Sequence, residues 1–358
     1  SEEITASLSC VFPSAPSART AAGFSPLPAG SPLKCPTATA IPAAATTAAI
    51  GGIMYPEMVK RGYPSDYSTA VQAVGGTLGI IIPPSIVFVI YGSTNGVSIS
   101  KLLMSGMLPG ILTAVVLCLY GYVVAKKENF PKSFDQFSLK RVLKSLKGAV
   151  WALMMPLIIL GGIYGGIFTP TESAMIACAY GLVVSFFVTK ELTVKNFFDV
   201  VSKTAASTAN VTVMFLAAQV FGFLIAYYDI TTTIANFFVA VSPNWIIFMG
   251  LVFILLTITG MFMEVGATNV ILSPLLAPVA AAFGIDPIHF GMVFVFLLAL
   301  GQATPPFGST MFIACGISGE RVAAVIRRLL PFVLVEYACA LVFAYVPWFS
   351  TFLPSLMA

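Results

Sequence analysis

Apolar runs long enough to cross a lipid bilayer recur along this sequence and limit its fold more than any other feature. Crossing the hydrocarbon core takes about 20 residues of helix. Runs at or near that length lie at residues 101–125, 149–168, 172–189, 206–228 and 329–353. Hydrophobic residues make up 58% of the 358 residues and charged residues 9%, more apolar surface than a soluble fold could bury. We therefore predict an all-α polytopic membrane protein.

Basic residues predict the orientation of these spans, because Lys and Arg concentrate in cytoplasmic loops. Seven Lys or Arg residues lie in the segment 126–148, which we interpret as a cytoplasmic, basic amphipathic segment on the lipid headgroups. Basic clusters at 190–203 and 321–328 predict two more cytoplasmic loops, and the residues between these clusters include no Lys or Arg. With scaffold spans over 149–228, this pattern requires a re-entrant hairpin at 245–283 and predicts a periplasmic C-terminus.

The sequence aligns with itself when shifted by 222 residues. Residues 56–112 then align with the later copy without a gap and with at least nine identities, most of them Gly or Pro. These include Pro56/Pro278, Gly62/Gly284, Val71/Val293, Gly79/Gly301, Pro83/Pro305, Pro84/Pro306, Leu108/Leu330, Pro109/Pro331 and Leu112/Leu334. Basic neighbours place Gly62 inside, whereas Gly284 has no cation nearby. We predict inverted-topology repeats at 48–125 and 229–353, an architecture found in secondary transporters.

Two adjacent prolines interrupt an apolar run in each copy, within GIIIPPSIVF and GQATPPFGST. Because each proline removes a backbone donor, carbonyls in the preceding turn lose their partners. We predict broken helices at 68–92 and 287–317, with freed carbonyls near Gly79–Ser85 and Gly301–Pro306 that bind Na⁺. The candidate residues are Gly79, Pro83, Pro84, Ser85, Gly301, Gln302, Thr304, Pro305 and Pro306. The alternative is a proline kink that a neighbouring helix satisfies.

The tip of the predicted hairpin, GMFMEVGATN, is the other candidate Na⁺ or substrate site. Its candidate residues are Gly260, Glu264, Gly266, Thr268 and Asn269. The glycines permit a tight reversal, and a carboxylate at membrane depth requires a partner. Glu264 either contacts an ion or substrate or caps the following half-helix. We expect Glu336 to lie at the membrane interface and His289 at the outer interface.

Residues 1–47 are rich in Ser, Ala, Pro and Thr, and seven prolines there exclude a regular helix. We expect a disordered tail or a non-native N-terminus. The chain has a single His, which excludes His-based metal catalysis of the H-E-x-x-H kind. Its six Cys residues form no C-x-x-C pair. No Ser/His/Asp set indicates an enzyme, and a net charge of +4 does not indicate a nucleic-acid partner. We expect no enzymatic activity and no cofactor besides Na⁺.

Five stretches carry a resemblance to a known family. They are AAIGGIMYPEMVKRGYP (48–64), GTLGIIIPPSIVFVIYG (76–92), GGIYGGIFTPTESA (161–174), ILSPLLAPVAAAFGIDPIHFG (271–291) and LGQATPPFGSTMFIACGI (300–317). From about Ala48 onward the chain resembles the large membrane subunit, or permease, of tripartite ATP-independent periplasmic (TRAP) transporters. By position, the second hairpin tip of the family falls on Gly260–Asn269. Its Gly/Ser-rich first tip falls where this sequence has TATAIPAAATT.

The resemblance implies an elevator-type transport domain, Na⁺ coupling and a bacterial inner-membrane location. It also implies two protein partners, a small membrane subunit and a periplasmic substrate-binding protein that delivers an organic acid. We therefore predict a subunit of a Na⁺-driven importer for a carboxylated solute. A C4-dicarboxylate is the first choice, and sialic acid or another sugar or keto acid comes next. The alternatives are a stand-alone Na⁺- or H⁺-coupled carboxylate symporter and, below it, a passive channel.

Overall fold

The structure is a computed structural model, and it describes residues 42–130, 139–190, 192–230 and 244–356, with isolated positions between 233 and 242. Within these residues it is helical and has no strand, which confirms the predicted all-α class. The helices are α1 (Pro42–Lys60), α2 (Ser65–Ile81), α3 (Ile86–Asn95), α4 (Ile99–Lys127), α5 (Leu139–Tyr164), α6 (Pro170–Val183, continued by a π-helical turn, Val184–Val188), α7 (Val194–Tyr227), α8 (Trp245–Phe262), α9 (Val265–Ala282), α10 (Pro287–Gly301), α11 (Ser309–Ser318), α12 (Val322–Tyr345) and α13 (Trp348–Ser355).

Several of the described helices are long and apolar enough to cross a membrane. They are Ser65–Asn95, which joins α2 and α3, and then α4, α6 with its π-helical turn, α8 and α9. Together α12 and α13 pass the same length and composition test, but they bend by 64° at their junction. The chain is therefore built for a bilayer, where helices satisfy their own backbone groups.

The helix bounds of the two sequence copies correspond. Shifting α1 by 222 residues gives 264–282, and α9 covers Val265–Ala282. The same shift brings α2 and α3 onto α10 and α11 to within two residues. Both proline pairs contain a cis peptide bond, and Gly62 and Gly284 both have a left-handed φ, of 85° and 75°. The two copies thus share one backbone plan of helix, turn, broken helix and long helix.

The core lies where the two copies interlock around α10. Every residue of α10 from His289 to Gly301 is buried, as expected of a helix that is apolar on all sides. α9 packs against α3 of the other copy, and α1 packs in the same way against α11. A Cβ at Gly291 would lie 2.6 Å from the Tyr91 ring and 2.8 Å from Leu102 Cδ2. This glycine therefore lets α10 approach α3 and α4 closely.

Three helix bounds in the structure differ from the predicted segment boundaries. Helix α1 begins at Pro42 instead of residue 48, because proline is tolerated at the first helical position, where no N–H is needed. Residues 1–41 lie outside the described part of the chain. Helix α5 begins at Leu139 and runs through the predicted boundary between 126–148 and 149–228. The last predicted span, 329–353, is split because Val346, with φ −120° and ψ 88°, leaves the helical conformation before Pro347.

His289 also differs from expectation, because it is buried, with 2% of its surface exposed. Its Nδ1 lies 2.7 Å from Ser350 Oγ and its Nε2 lies 3.2 Å from the Ala344 carbonyl oxygen. The imidazole thereby joins the start of α10 to α12 and α13. A packed position between three helices replaces the predicted interfacial one.

We predict that Gly291→Ala destabilises the protein by about 1–3 kcal/mol, because the new methyl group overpacks the contact with Tyr91 and Leu102. Gly316→Ala in α11 is the matched control, since nothing lies within 4 Å of a Cβ there. Alanine should stabilise that helical position slightly. Thermal unfolding in detergent measures both, and equal midpoints for the two variants would contradict the packing argument.

Candidate functional site

Side chains of the break between α10 and α11 form hydrogen bonds with each other and with the neighbouring hairpin tip. Gln302 is buried, and its Nε2 donates to the Gly260 carbonyl at 3.1 Å and to the Met263 carbonyl at 3.0 Å. Its Oε1 accepts from Ser309 Oγ at 2.6 Å. Its own carbonyl accepts from both the backbone N–H and the hydroxyl of Thr310. Gln302 therefore joins the hairpin tip to both sides of the second break.

The hairpin tip approaches this break closely because both sides of the contact are glycine. A Cβ at Gly301 would lie 2.5–2.8 Å from backbone atoms of Gly260. Helix α8 ends at Phe262 and α9 begins at Val265, so the chain reverses within two residues. The tip and the second break consequently form one packed unit.

Glu264 is the N-cap of α9. Its Oε2 accepts a hydrogen bond from the Ala267 backbone N–H at 2.8 Å, and Gly266 leaves room for the carboxyl group. A negative charge at a helix N-terminus is favourable. Of the two predicted roles of Glu264, the structure therefore shows the capping hydrogen bond. Thr268, one turn further on, is buried and donates to the Glu264 carbonyl.

The first break, between α2 and α3, keeps more unpaired oxygens than the second. The residues four positions after Gly79 and Ile80 are Pro83 and Pro84, which have no N–H to donate to those carbonyls. Ser85 is buried, and its Oγ has no hydrogen-bond partner among the described residues. Polar oxygens without protein donors are suited to a cation.

Asn269 brings α9 to the same place. It is fully buried, and its Nδ2 donates to the carbonyl of Val87, two residues beyond Ser85, at 2.9 Å. Its Oδ1 has no partner among the described residues. The hairpin of one copy and the broken helix of the other therefore meet at an asparagine with a free acceptor.

The predicted Na⁺ ligands fall into two groups. In the second break the carbonyls of Gly301, Gln302 and Thr304 already accept backbone hydrogen bonds, from Thr304, Thr310 and Gly308. Pro306, the second proline of this break, is exposed. No cluster of His, Cys, Asp and Glu among the described residues could hold a metal ion. The oxygen atoms near the first break are therefore the better candidate ligands for a cation.

Two polar contacts on α12 were missed by sequence reasoning. Glu336 is fully buried instead of interfacial, and its Oε1 lies 2.6 Å from Thr77 Oγ1 on α2. The next residue, Tyr337, places its hydroxyl oxygen 3.0 Å from Thr304 Oγ1 in the second break. Helix α12 therefore touches both broken helices through adjacent side chains. The sequence signal was a lone acid in an apolar run, which calls for a partner.

A cleft of about 710 Å³ opens where α3, α4, α9 and α10 meet. Asn95 lines it and donates to Ser273 Oγ at 2.8 Å, a second polar link between α3 and α9. Lys101, exposed near the start of α4, and Asp286, the N-cap of α10, also line it. The cleft thus combines a cation and a carboxylate with an apolar wall of prolines and alanines.

These features define a polytopic membrane protein with broken helices, and comparison with known proteins identifies its family. The family model for the tripartite ATP-independent periplasmic transporter, DctM component, matches residues 42–349. The chain belongs to this family of permeases, which are transporters and not enzymes. It is a multi-pass protein of the bacterial inner membrane. The predicted family is confirmed.

Relatives in several bacteria are similar over most of the chain. It is 41% identical over 303 residues to the isethionate TRAP transporter permease protein DctMQ of Oleidesulfovibrio alaskensis, covering 85% of this chain and 48% of that protein. It is 36% identical to the C4-dicarboxylate TRAP transporter large permease protein DctM of Vibrio cholerae, covering 87% and 73%. It is 33% identical to the sialic acid TRAP transporter permease protein SiaT of Haemophilus influenzae, covering 88% and 51%. The chain thus spans about half to three quarters of these relatives.

We predict that Gln302→Leu destabilises the protein by about 2 kcal/mol or more, because the carbonyls of Gly260 and Met263 both lose their donor and the first of them is buried. Ser309→Ala removes only one of the three side-chain hydrogen bonds of Gln302 and should cost about 0.5–1.5 kcal/mol. Thermal unfolding of both variants in detergent gives the comparison. A loss for Gln302→Leu no larger than for Ser309→Ala would show that Gln302 does not hold the tip to the break.

Proposed function

We propose that this chain is the membrane permease subunit of a Na⁺-coupled importer for a carboxylated solute. The observation that carries the Na⁺ proposal is the pair of buried, unpartnered oxygens near the first break, Ser85 Oγ and Asn269 Oδ1. The carbonyls of Gly79 and Ile80, which face prolines instead of N–H donors, are further candidate ligands. A site made only of neutral oxygens suits a hard monovalent cation.

An inward Na⁺ gradient supplies the energy that such an importer needs. Each Na⁺ that enters down 100 mV contributes about 2.3 kcal/mol, which offsets the entry of an anion against the same potential. Lys101 in the cleft offers a positive charge to that anion, whereas the N-terminus of α9 is already capped by the Glu264 carboxyl group. We propose a C4-dicarboxylate as the substrate, in line with the named substrate of the Vibrio cholerae relative. Sialic acid and isethionate, named for two other relatives, are the next candidates.

The partners proposed are a small membrane subunit and a periplasmic substrate-binding protein, as family membership implies. The exposed apolar faces of α5, α6 and α7 provide surface for lipid and for the small subunit. We place the ends of α3 and α9, and with them the C-terminus, on the periplasmic side. An elevator movement of the two hairpins and broken helices would carry the solute across.

The direct test is uptake of labelled succinate, isethionate and sialic acid into proteoliposomes that contain this chain and its small membrane partner. We expect uptake of one of these acids only with an inward Na⁺ gradient and the cognate receptor. Uptake that needs Na⁺ but no receptor would favour a stand-alone symporter. Uptake that follows the solute gradient alone, without Na⁺, would overturn ion coupling and favour a channel.

We predict that Ser85→Ala raises the Na⁺ concentration for half-maximal uptake by about tenfold or more, because one charge-assisted contact of about 1.5 kcal/mol is lost. Ser105→Ala is the matched control, since Ser105 is equally buried but its hydroxyl already donates to the Leu102 carbonyl at 2.7 Å. Na⁺ titrations of initial uptake rates compare the two. Equal Na⁺ dependence in both variants would remove Ser85 from the site.

A further inference from the structure

Glu336 is a buried acid that the proposed Na⁺ and substrate site does not use. It lies on α12 with none of its surface exposed, and among the described residues its hydrogen-bond partner is Thr77 on α2. Its Oε2 has no partner among the described residues. An ionised carboxylate buried in this way would lack the donors and the counter-charge that it requires.

The oxygen–oxygen distances around Thr77 bear on whether the Glu336 carboxyl group carries a proton. Thr77 Oγ1 lies 2.7 Å from the carbonyl oxygen of Val74 and 2.6 Å from Glu336 Oε1. Both distances are those of O–H···O hydrogen bonds, and each such bond requires one hydrogen. The threonine hydroxyl has a single hydrogen, and the Val74 carbonyl has none. A proton on Glu336, donated to Thr77, would supply the second hydrogen and leave the threonine hydroxyl to donate to the Val74 carbonyl.

We propose that Glu336 is a proton-binding site, occupied by one proton in the conformation described here. The proton completes a chain from Glu336 through Thr77 to the Val74 carbonyl, and this chain joins α12 to α2. The proposal does not depend on Na⁺ coupling or on the identity of the solute. It concerns a ligand, H⁺, that neither the first break nor the hairpin tip binds.

The repeat shows that this contact is not required by the shared backbone plan. A shift of 222 residues relates Glu336 to Ala114 and Thr77 to Ala299. The equivalent helices, α4 and α10, also pack against each other, and both of these positions are alanine there. Because packing alone suffices in one copy, the acid in the other copy calls for a chemical explanation.

No charged side chain of the described helices that pack on α12 contacts Glu336 in place of the proton. Those helices are α2, α4, α8, α10 and α11. The titratable or charged residues of these helices and of α12 itself are Asp66, Tyr67, Lys101, Cys118, Tyr120, Tyr122, Lys126, Lys127, His289, Cys315, Arg327, Arg328, Tyr337, Cys339 and Tyr345. Arg328 lies eight residues from Glu336, about 12 Å along the helix, and is paired with Asp66 and Glu128. Asp66 lies eleven residues from Thr77, about 16 Å along α2.

The sign of a pH effect on stability tests the proposal. An exposed glutamate is ionised above about pH 5, so unfolding of the wild type would release the proton of Glu336. The unfolding constant should then rise by up to about tenfold for each pH unit, and Glu336→Gln should lack that contribution because its amide is permanently neutral. We expect the melting temperature of Glu336→Gln to exceed that of the wild type at pH 8. The excess should shrink towards pH 5.

Glu57→Gln controls for the removal of a glutamate, because Glu57 is half-exposed and paired with Arg61 on the surface. Its difference from the wild type should stay constant from pH 5 to pH 8. A second measurement is infrared difference spectroscopy at neutral pH. Glu336→Gln should remove a carboxylic-acid C=O band, and Thr77→Val should shift that band. If Glu336→Gln is less stable than the wild type at pH 8, or leaves the carboxylic-acid band intact, Glu336 is ionised and the proposal is wrong.

Discussion

The absence of backbone N–H groups at two proline pairs is the constraint from which the rest of this structure follows. Pro83–Pro84 and Pro305–Pro306 stop α2 and α10 inside apolar sequence, where unpaired carbonyls are costly. Each break therefore has to lie against protein, and a neighbouring helix covers it, α1 at the first break and α8 at the second. The glycines that allow close approach, Gly301 against Gly260 and Gly79 against Thr46, lie at the ends of the interrupted helices for this reason.

The two breaks share a backbone plan but differ in chemistry. The second is satisfied from within, since Gln302, Ser309 and Thr310 supply donors and acceptors to the tip and to each other. The first has the apolar residues Ile80, Val87 and Phe88 at the equivalent positions, and the nearby Ser85 hydroxyl has no partner among the described residues. A rigid break next to one with spare oxygens is consistent with a division of roles, in which one anchors the hairpin and the other binds an ion.

Much of the architecture could be predicted because it depends on residues with strong backbone preferences. Proline pairs and recurrent glycines locate the broken helices and their reversals, and the long apolar runs locate most spans. The bend between α12 and α13 could not be predicted from hydropathy, which continues through Val346 and Pro347. Helix α1 can start at Pro42 because proline is tolerated at the first helical position. This effect depends on the position of a single proline, so the proline content of the segment does not reveal it.

The environment of polar side chains was the least predictable part, because it depends on which helices meet. Glu264 in a sequence is equally compatible with ligand binding and with capping, and only the position of the Ala267 N–H shows the capping bond. Glu336 looked interfacial because it lies close to the basic start of the last long apolar run. Its burial follows from the contact of α12 with α2, which joins residues 259 positions apart.

A neutral Glu336 explains how α12 can contact both broken helices without a counter-ion. An ionised acid at that position would require a cation from α2 or α10, and neither helix has one near Thr77 or Thr304. With the proton in place, Glu336 and Tyr337 are ordinary hydrogen-bonding groups, one for α2 and one for the second break. Their counterparts in the other copy, Ala114 and Val115, make no polar contact of this kind. The inverted copies thus share the scaffold, while these two adjacent polar residues give one copy a connection between both breaks that depends on a single proton.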